Sequence, residues 1–159
     1  MFRKQNQLPL LLVADDDADD RLLLQDAFQT LGFSTEVRFV ENGEELLASL
    51  QGRDGSEPER LPHLILLDLN MPMLDGRETL RLIKADERLC SIPVVVLTTS
   101  QSARDVVESF MSGANAYVPK PGSFENLVRM LKVLCEFWLK WCMLPTNREL
   151  VESVSRSRW

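Results

Sequence analysis

Short apolar runs alternate with amphipathic stretches along the whole chain, a rhythm that predicts parallel strands wrapped by helices. Leu8 to Ala14 is apolar apart from Pro9 near its start, where a strand tolerates proline, and it reads as a buried strand. Leu22, Leu23, Ala27, Phe28 and Leu31 then recur at helical spacing, and Gly32 supplies the stop. Thr35 to Val40 alternates as a second strand, and Asn42-Gly43 turns into a short helix carrying Leu46, Leu47 and Leu50. His63 to Leu67 is a third strand. The turn Met71-Pro72-Met73-Leu74-Asp75-Gly76 follows it and leads into a helix with Leu80, Leu82 and Ile83 on its apolar side. Pro93 to Leu97 is the most β-prone run and ends on Thr98. Ser102 with Asp105 resembles a capping box that opens a helix through Val106, Val107, Phe110 and Met111. Ala116 to Val118 makes a fifth strand, Pro119-Lys120-Pro121 stops it, and a last helix is expected from about Phe124 to Trp141.

The pattern therefore predicts an α/β fold: a doubly wound, five-stranded parallel sheet with five helices. The polar stretch 51–62, with two glycines and two prolines, is expected to be an exposed loop, because a core strand resumes at once. A chain of 159 residues suits one such domain and is too short for two ordinary ones.

In a doubly wound sheet, ligands gather beyond the carboxyl ends of the strands. There the first strand leads into Asp15-Asp16-Asp17, the third ends on Asp68, the fourth on Thr98, and the fifth leads to Lys120. Carboxylates crowded together need a cation between them, and Mg²⁺, with its octahedral oxygen shell, answers that need. An ammonium and a hydroxyl beside the metal suit the remaining oxygens of a phosphoryl group. An aspartate can itself be the nucleophile for such a group. Asp68 is the candidate, since it alone ends the apolar strand Leu64-Ile65-Leu66-Leu67.

Composition narrows the partners. A net charge of −6 opposes direct binding to nucleic acid. Three widely spaced cysteines without a CxxC motif read as reduced thiols, and the single histidine, His63, leaves zinc without a ligand set. The apolar run Leu8 to Ala14 is too short for a signal sequence or a membrane span, so a cytoplasmic location is expected.

The acidic cluster, Leu67-Asp68-Leu69-Asn70-Met71-Pro72-Met73-Leu74-Asp75-Gly76, Leu97-Thr98-Thr99 and Tyr117-Val118-Pro119-Lys120-Pro121 together resemble response-regulator receiver domains. The resemblance spans roughly Leu8 to Met143, which divides the chain into a receiver domain over 8–144 and a C-terminal extension over 145–159. It implies a flavodoxin-like sheet of strand order 2-1-3-4-5 and a Mg²⁺-dependent phosphoacceptor, Asp68, fed by a sensor histidine kinase. Asp15 and Asp16 would be the acidic pair, Asp16 binding the metal directly and Asp15 through water, with Asn70 adding its backbone carbonyl. The pair can also be set one residue later; Asp15 and Asp16 place Ala27, Phe28 and Gly32 where the family's first helix ends. Thr98 and Lys120 would hold the phosphoryl group, Tyr117 would be the switch aromatic, and Lys120-Pro121 would carry a cis peptide bond.

Leu127, Val128, Leu131, Leu134, Cys135 and Trp138 give the last helix one docking stripe. Met130, Val133, Phe137, Trp141 and Met143-Leu144 add apolar surface that either meets a partner or folds back on its own sheet. Phe137-Trp138-Leu139, Leu144-Pro145 and the long 51–62 loop look similar to phytochrome-associated response regulators. That likeness implies a homodimer through this end and a phytochrome-type photoreceptor as the kinase. The residues after Pro145 are too few for a DNA-binding output module. Two other readings compete. A phosphatase with an Asp nucleophile would need an acid where Asn70 stands, so the chain is not expected to be an enzyme. A degenerate receiver acting only as a scaffold would not need Asp68, Thr98 and Lys120 together.

Overall fold

A computed structural model describes residues 7–52 and 60–145. Most of the expected 51–62 loop and the extension beyond Pro145 lie outside the described residues. The elements run β1 (Leu10–Ala14), α1 (Ala18–Leu31), β2 (Glu36–Val40), α2 (Gly43–Gln51), β3 (Leu64–Leu67), α3 (Gly76–Ala85), β4 (Val94–Thr98), α4 (Ala103–Met111), β5 (Ala116–Pro119) and α5 (Phe124–Cys135). All strand pairs are parallel and the order is β2-β1-β3-β4-β5, as the alternating pattern and the resemblance led one to expect.

Strand side chains alternate between faces, so the sheet is buried twice. On one face Leu12, Ile65, Leu67, Val94 and Val96 pack against Leu46 and Leu50 of α2 and Leu80 and Ile83 of α3. On the other, Leu11, Val13, Leu64, Leu66, Val95 and Leu97 meet Leu24 and Ala27 of α1 and Leu127, Leu131 and Cys135 of α5. Burial pushes the Cys135 thiol up to about 12, which makes it a core apolar group rather than a nucleophile. His63 is structural: its Nδ1 accepts the Leu10 N–H at 3.1 Å, where β1 and β3 begin.

Local chemistry sets most helix starts. Asp17, Asn42, Asp75, Ser102 and Ser123 each cap a helix N-terminus with a side-chain oxygen. Gly32 ends α1 in the left-handed region at φ 61°. Gly76 has a different reason to be glycine. A Cβ there would lie 2.1 Å from the Asp68 carbonyl oxygen, so only hydrogen lets α3 start this close to the end of β3.

Several expected faces are corrected by helix geometry. Leu22 and Leu23 point to solvent, Leu22 with 57% of its surface exposed, while Leu24, one step further round the helix, is buried with Ala27. In α3, Leu82 sits about 200° from Leu80 and is exposed, and only Leu80 and Ile83 face the sheet. The capping box at Ser102 is half made. Its hydroxyl oxygen accepts the Asp105 N–H at 3.5 Å, but the Asp105 carboxylate turns elsewhere. In α4, Val107, Phe110 and Met111 stand largely exposed. The last helix does not continue as one α-helix: α5 ends at Cys135 and a π-helical segment, Glu136–Trp141, follows.

Core truncation separates these faces. Leu131→Ala is expected to lower stability by about 2–5 kcal/mol, and Leu22→Ala by less than about 0.5 kcal/mol, in denaturant unfolding. Equal losses would contradict the face assigned to α1.

Candidate functional site

The backbone aims each strand-end residue. The Asp15 N–H donates to the Val40 carbonyl at 3.1 Å, the Asp68 N–H to that of Ala14 at 3.0 Å, and the Lys120 N–H to that of Thr98 at 2.8 Å. Each bond extends a sheet ladder by one residue, so these side chains leave at fixed angles.

At that edge Asp15, Asp16 and Asp68 bring carboxylate oxygens within 4.8 Å of one another. Asp15 and Asp68 are buried, Asp16 is exposed. The Lys120 Nζ donates at 2.8 Å to Asp15, 2.9 Å to Asp68 and 2.6 Å to Asp20. Burial raises the Asp15 pKa against the lowering effect of Lys120. Burial would lower the Lys120 pKa, but its bonds to Asp15, Asp20 and Asp68 together outweigh that and hold it raised and charged. One Asp68 oxygen also accepts the Asn70 N–H at 3.3 Å, and one Asp15 oxygen the Asp17 N–H at 3.0 Å. Asp17 itself is spent on capping α1, accepting the Asp19 and Asp20 N–H groups at 2.8 and 3.0 Å.

Thr98 is fully buried at the end of β4, and its hydroxyl oxygen faces the Ser100 N–H at 3.4 Å. Tyr117 packs partly against the core and donates its hydroxyl to the Ser100 carbonyl at 2.8 Å. The Lys120–Pro121 peptide is not cis, against expectation: no described peptide bond is. Trans is the ordinary form even before proline, and Lys120 reaches its three carboxylates from it.

A second charged cluster, almost without signature in the sequence, lies beside the first turns of α3 and α4. Arg77 pairs with Asp105 through two bonds, Nε at 2.9 Å and Nη2 at 2.8 Å, and its Nη1 reaches Asp75 at 3.0 Å and the Asn70 side-chain oxygen at 3.5 Å. The Ser100 hydroxyl donates to Asp105 at 2.6 Å. Bonds from Arg77, then from Ser100, pull the Asp105 carboxyl down to about 2. The only hint in the sequence was an acidic residue at the third position of a capped helix, which is also where Asp20 sits in α1.

The donor set fits a hard divalent cation. All three candidate ligands are carboxylates, two of them buried as like charges, and one shared ammonium leaves the group negative. Clustered oxygens of this kind with a fixed cation beside them can hold a metal and an anionic phosphoryl group together.

Comparison with known proteins agrees with this geometry. Residues 11–132 match the family described as response regulator receiver domain. The chain is 41% identical over 136 residues to the probable methanogenesis regulatory protein FilR2 of Methanothrix harundinacea, covering 86% of each chain. It is 40% identical to the response regulator Rcp1 of Synechocystis, covering 86% of this chain and 92% of that one. Among solved structures, the phosphorylated cyanobacterial phytochrome response regulator RcpA superposes with a TM-score of 0.81 at 37% identity, covering 88% of this chain and 100% of that one. The Mn²⁺-bound form of Rcp1 superposes with 0.77 at 37%, covering 87% and 99%.

The Arg77–Asp105 pair has a pH signature. A carboxylate whose folded pKa is depressed stabilises the fold above its unfolded value and loses that contribution as pH falls through the folded one. Asp105 should therefore cost the fold stability between about pH 3.8 and 2. Asp105→Asn is expected to lose about 1 kcal/mol at pH 7, the pair being partly solvated, and to flatten this acid limb in urea titrations at several pH values. An unchanged limb would show the pair to be energetically silent.

Proposed function

The chain belongs to the response regulator receiver domain family, and from that premise we propose that Asp68 is its phosphoacceptor, charged by a sensor histidine kinase with Mg²⁺ at the acidic edge. Receiver domains are signalling proteins that bind a divalent metal in an acidic pocket. The observation that carries the reading is Lys120 bonded to both Asp15 and Asp68, with the Asp16 carboxylate beside them. The receiver unit is taken as 8–144.

Chemically, an Asp68 carboxylate oxygen attacks phosphorus in line, the bond to the donor nitrogen of a phosphohistidine breaks, and its electron pair leaves with the imidazole. The carboxylate is already a base-free nucleophile. Mg²⁺ held by Asp15, Asp16 and Asp68, with the Asn70 carbonyl, would neutralise charge on the phosphoryl oxygens. Lys120 keeps its ammonium at the same point and donates to another phosphoryl oxygen, and the Thr98 hydroxyl donates to the third. Asn70 offers no carboxylic acid two residues after the nucleophile, which favours a held phosphoryl group over phosphatase turnover.

The switch follows from the bond between Tyr117 and Ser100. When Thr98 moves toward the phosphoryl group, its neighbour Ser100 is drawn along, and the tyrosine hydroxyl loses or follows its acceptor. That repacks the surface beside α4, where Val107, Phe110 and Met111 are exposed.

The same reading includes a homodimer through the C-terminal helix face. Val133, Phe137, Trp141 and Met143 are exposed, Trp141 at 82%, whereas the other aromatic there, Trp138, folds onto the core. Apolar surface of this size on an acidic protein is what a partner copy would cover. A phytochrome-type photoreceptor is the kinase we favour, by analogy with what RcpA is named for. A cytoplasmic place of action accords with the free thiols of Cys90, Cys135 and Cys142, and no described helix is long and apolar enough to cross a membrane.

Incubation with acetyl phosphate and Mg²⁺ should incorporate one phosphoryl group in the wild type. Asp68→Asn should lower the rate by about 100-fold or more. Incorporation unaffected by that change would refute Asp68 as acceptor, and chelation of the metal should abolish transfer. Light scattering at micromolar concentration should give the mass of a dimer, and Trp141→Asp that of a monomer. A wild-type monomer with and without phosphate would remove the dimer.

A further inference from the structure

A lysine ammonium has three N–H donors, and in Lys120 all three are taken by carboxylates: Asp15 at 2.8 Å, Asp68 at 2.9 Å and Asp20 at 2.6 Å. The first two are accounted for by the phosphoacceptor reading. The third is not, and it differs from them in two ways. Asp15 and Asp68 stand at strand ends with their backbone N–H groups locked into the sheet ladders, whereas Asp20 comes from the first turn of α1. Its side chain is also 34% exposed, against 2% for Asp15 and 8% for Asp68, so it meets the ammonium from the solvated side.

An incoming phosphoryl group also arrives from solvent and also needs a Lys120 N–H. A saturated ammonium cannot give one without releasing an acceptor. Of the three acceptors, Asp20 has the most exposed side chain, so its carboxylate can rotate into solvent most easily. Its negative charge also lies beside the path of a dianionic donor, and like charges repel at this range.

Resting on the phosphoacceptor reading, we propose that Asp20 is a positioning residue that occupies Lys120 in the unphosphorylated state, competing with the phosphoryl group for the ammonium and so slowing its capture. It acts through Lys120 rather than on the reacting atoms. The step it opposes is complete in itself: an Asp68 oxygen bonds to phosphorus, the bond to the donor's leaving oxygen breaks, and acetate departs with the electron pair.

Asp20→Asn, Asp20→Glu and the wild type would be compared for initial phosphorylation rate with acetyl phosphate and Mg²⁺, with Asp68→Asn as the control. Beryllofluoride, a phosphoryl mimic, would be titrated in parallel by NMR. Asp20→Asn should phosphorylate about tenfold faster at low salt, with the gain shrinking at high salt, and should bind beryllofluoride correspondingly tighter. Asp20→Glu, which keeps the charge, should return toward the wild-type rate. A purely structural residue would slow both readouts when replaced, without dependence on salt. A rate for Asp20→Asn equal to or below wild type, or Asp20→Glu behaving as Asp20→Asn, overturns the proposal while leaving Asp68 as acceptor intact. A wild type that takes up no phosphate, or takes it up equally as Asp68→Asn, overturns the acceptor reading, and Asp20 falls with it.

Discussion

The structure depends on one ammonium among carboxylates. Asp15 and Asp68 are buried within a few ångströms of each other, an arrangement that is unfavourable for like charges unless a cation sits between them. Lys120 is that cation, tied to both and to Asp20. One positive charge does not balance four neighbouring carboxylates, counting exposed Asp16. The residual negative charge makes the edge receptive to a divalent metal, and through it to a phosphoryl group.

Holding that cluster requires rigid support, and the sheet supplies it. Ladder bonds fix the backbone of Asp15, Asp68 and Lys120, and the start of α3 presses against the carbonyl of Asp68 because Gly76 has no side chain. Asp68 is thereby pinned from two directions. In contrast, Ser100 sits on a loop where three bonds converge: with the Thr98 hydroxyl, the Tyr117 hydroxyl and the Asp105 carboxylate. A small displacement there reaches Tyr117 and, through Asp105 and Arg77, the start of α3. On the proposed reading, a carboxylate held by the sheet beside a loop whose bonds reach both β5 and α3 is the arrangement a charge-sensing switch requires.

On the proposed reading, the switch is read at apolar surface left uncovered. α4 turns Val107, Phe110 and Met111 outward, and the π-helical end presents Phe137 and Trp141, with Met143 just beyond. Phe137 still meets Trp138 edge to face, with centroids 5.1 Å apart, and Lys140 lies 4.8 Å over the Phe33 ring. The end of the last helix is thus anchored to the domain on one side and bare on the other.

Much of this was legible in the amino-acid order alone. Strand runs, caps such as Asn42 and Asp75, and the residues that follow strand ends are local features, and periodicity with turn chemistry is enough to read them. Given parallel strands, Asp15, Asp16, Asp68, Thr98 and Lys120 had to meet at one edge. What local pattern could not decide was which way neighbouring apolar residues face, as Leu22 against Leu24 and Leu80 against Leu82 illustrate. A helix with more apolar residues than one face can hold is oriented by what it packs on. Nor could it reveal Asp20 reaching Lys120 or Asp105 reaching Arg77, partners 100 and 28 residues away in the chain. Those contacts exist because separate helices converge on the sheet edge, and only the folded arrangement of α1, α3 and α4 brings their charges within hydrogen-bonding distance.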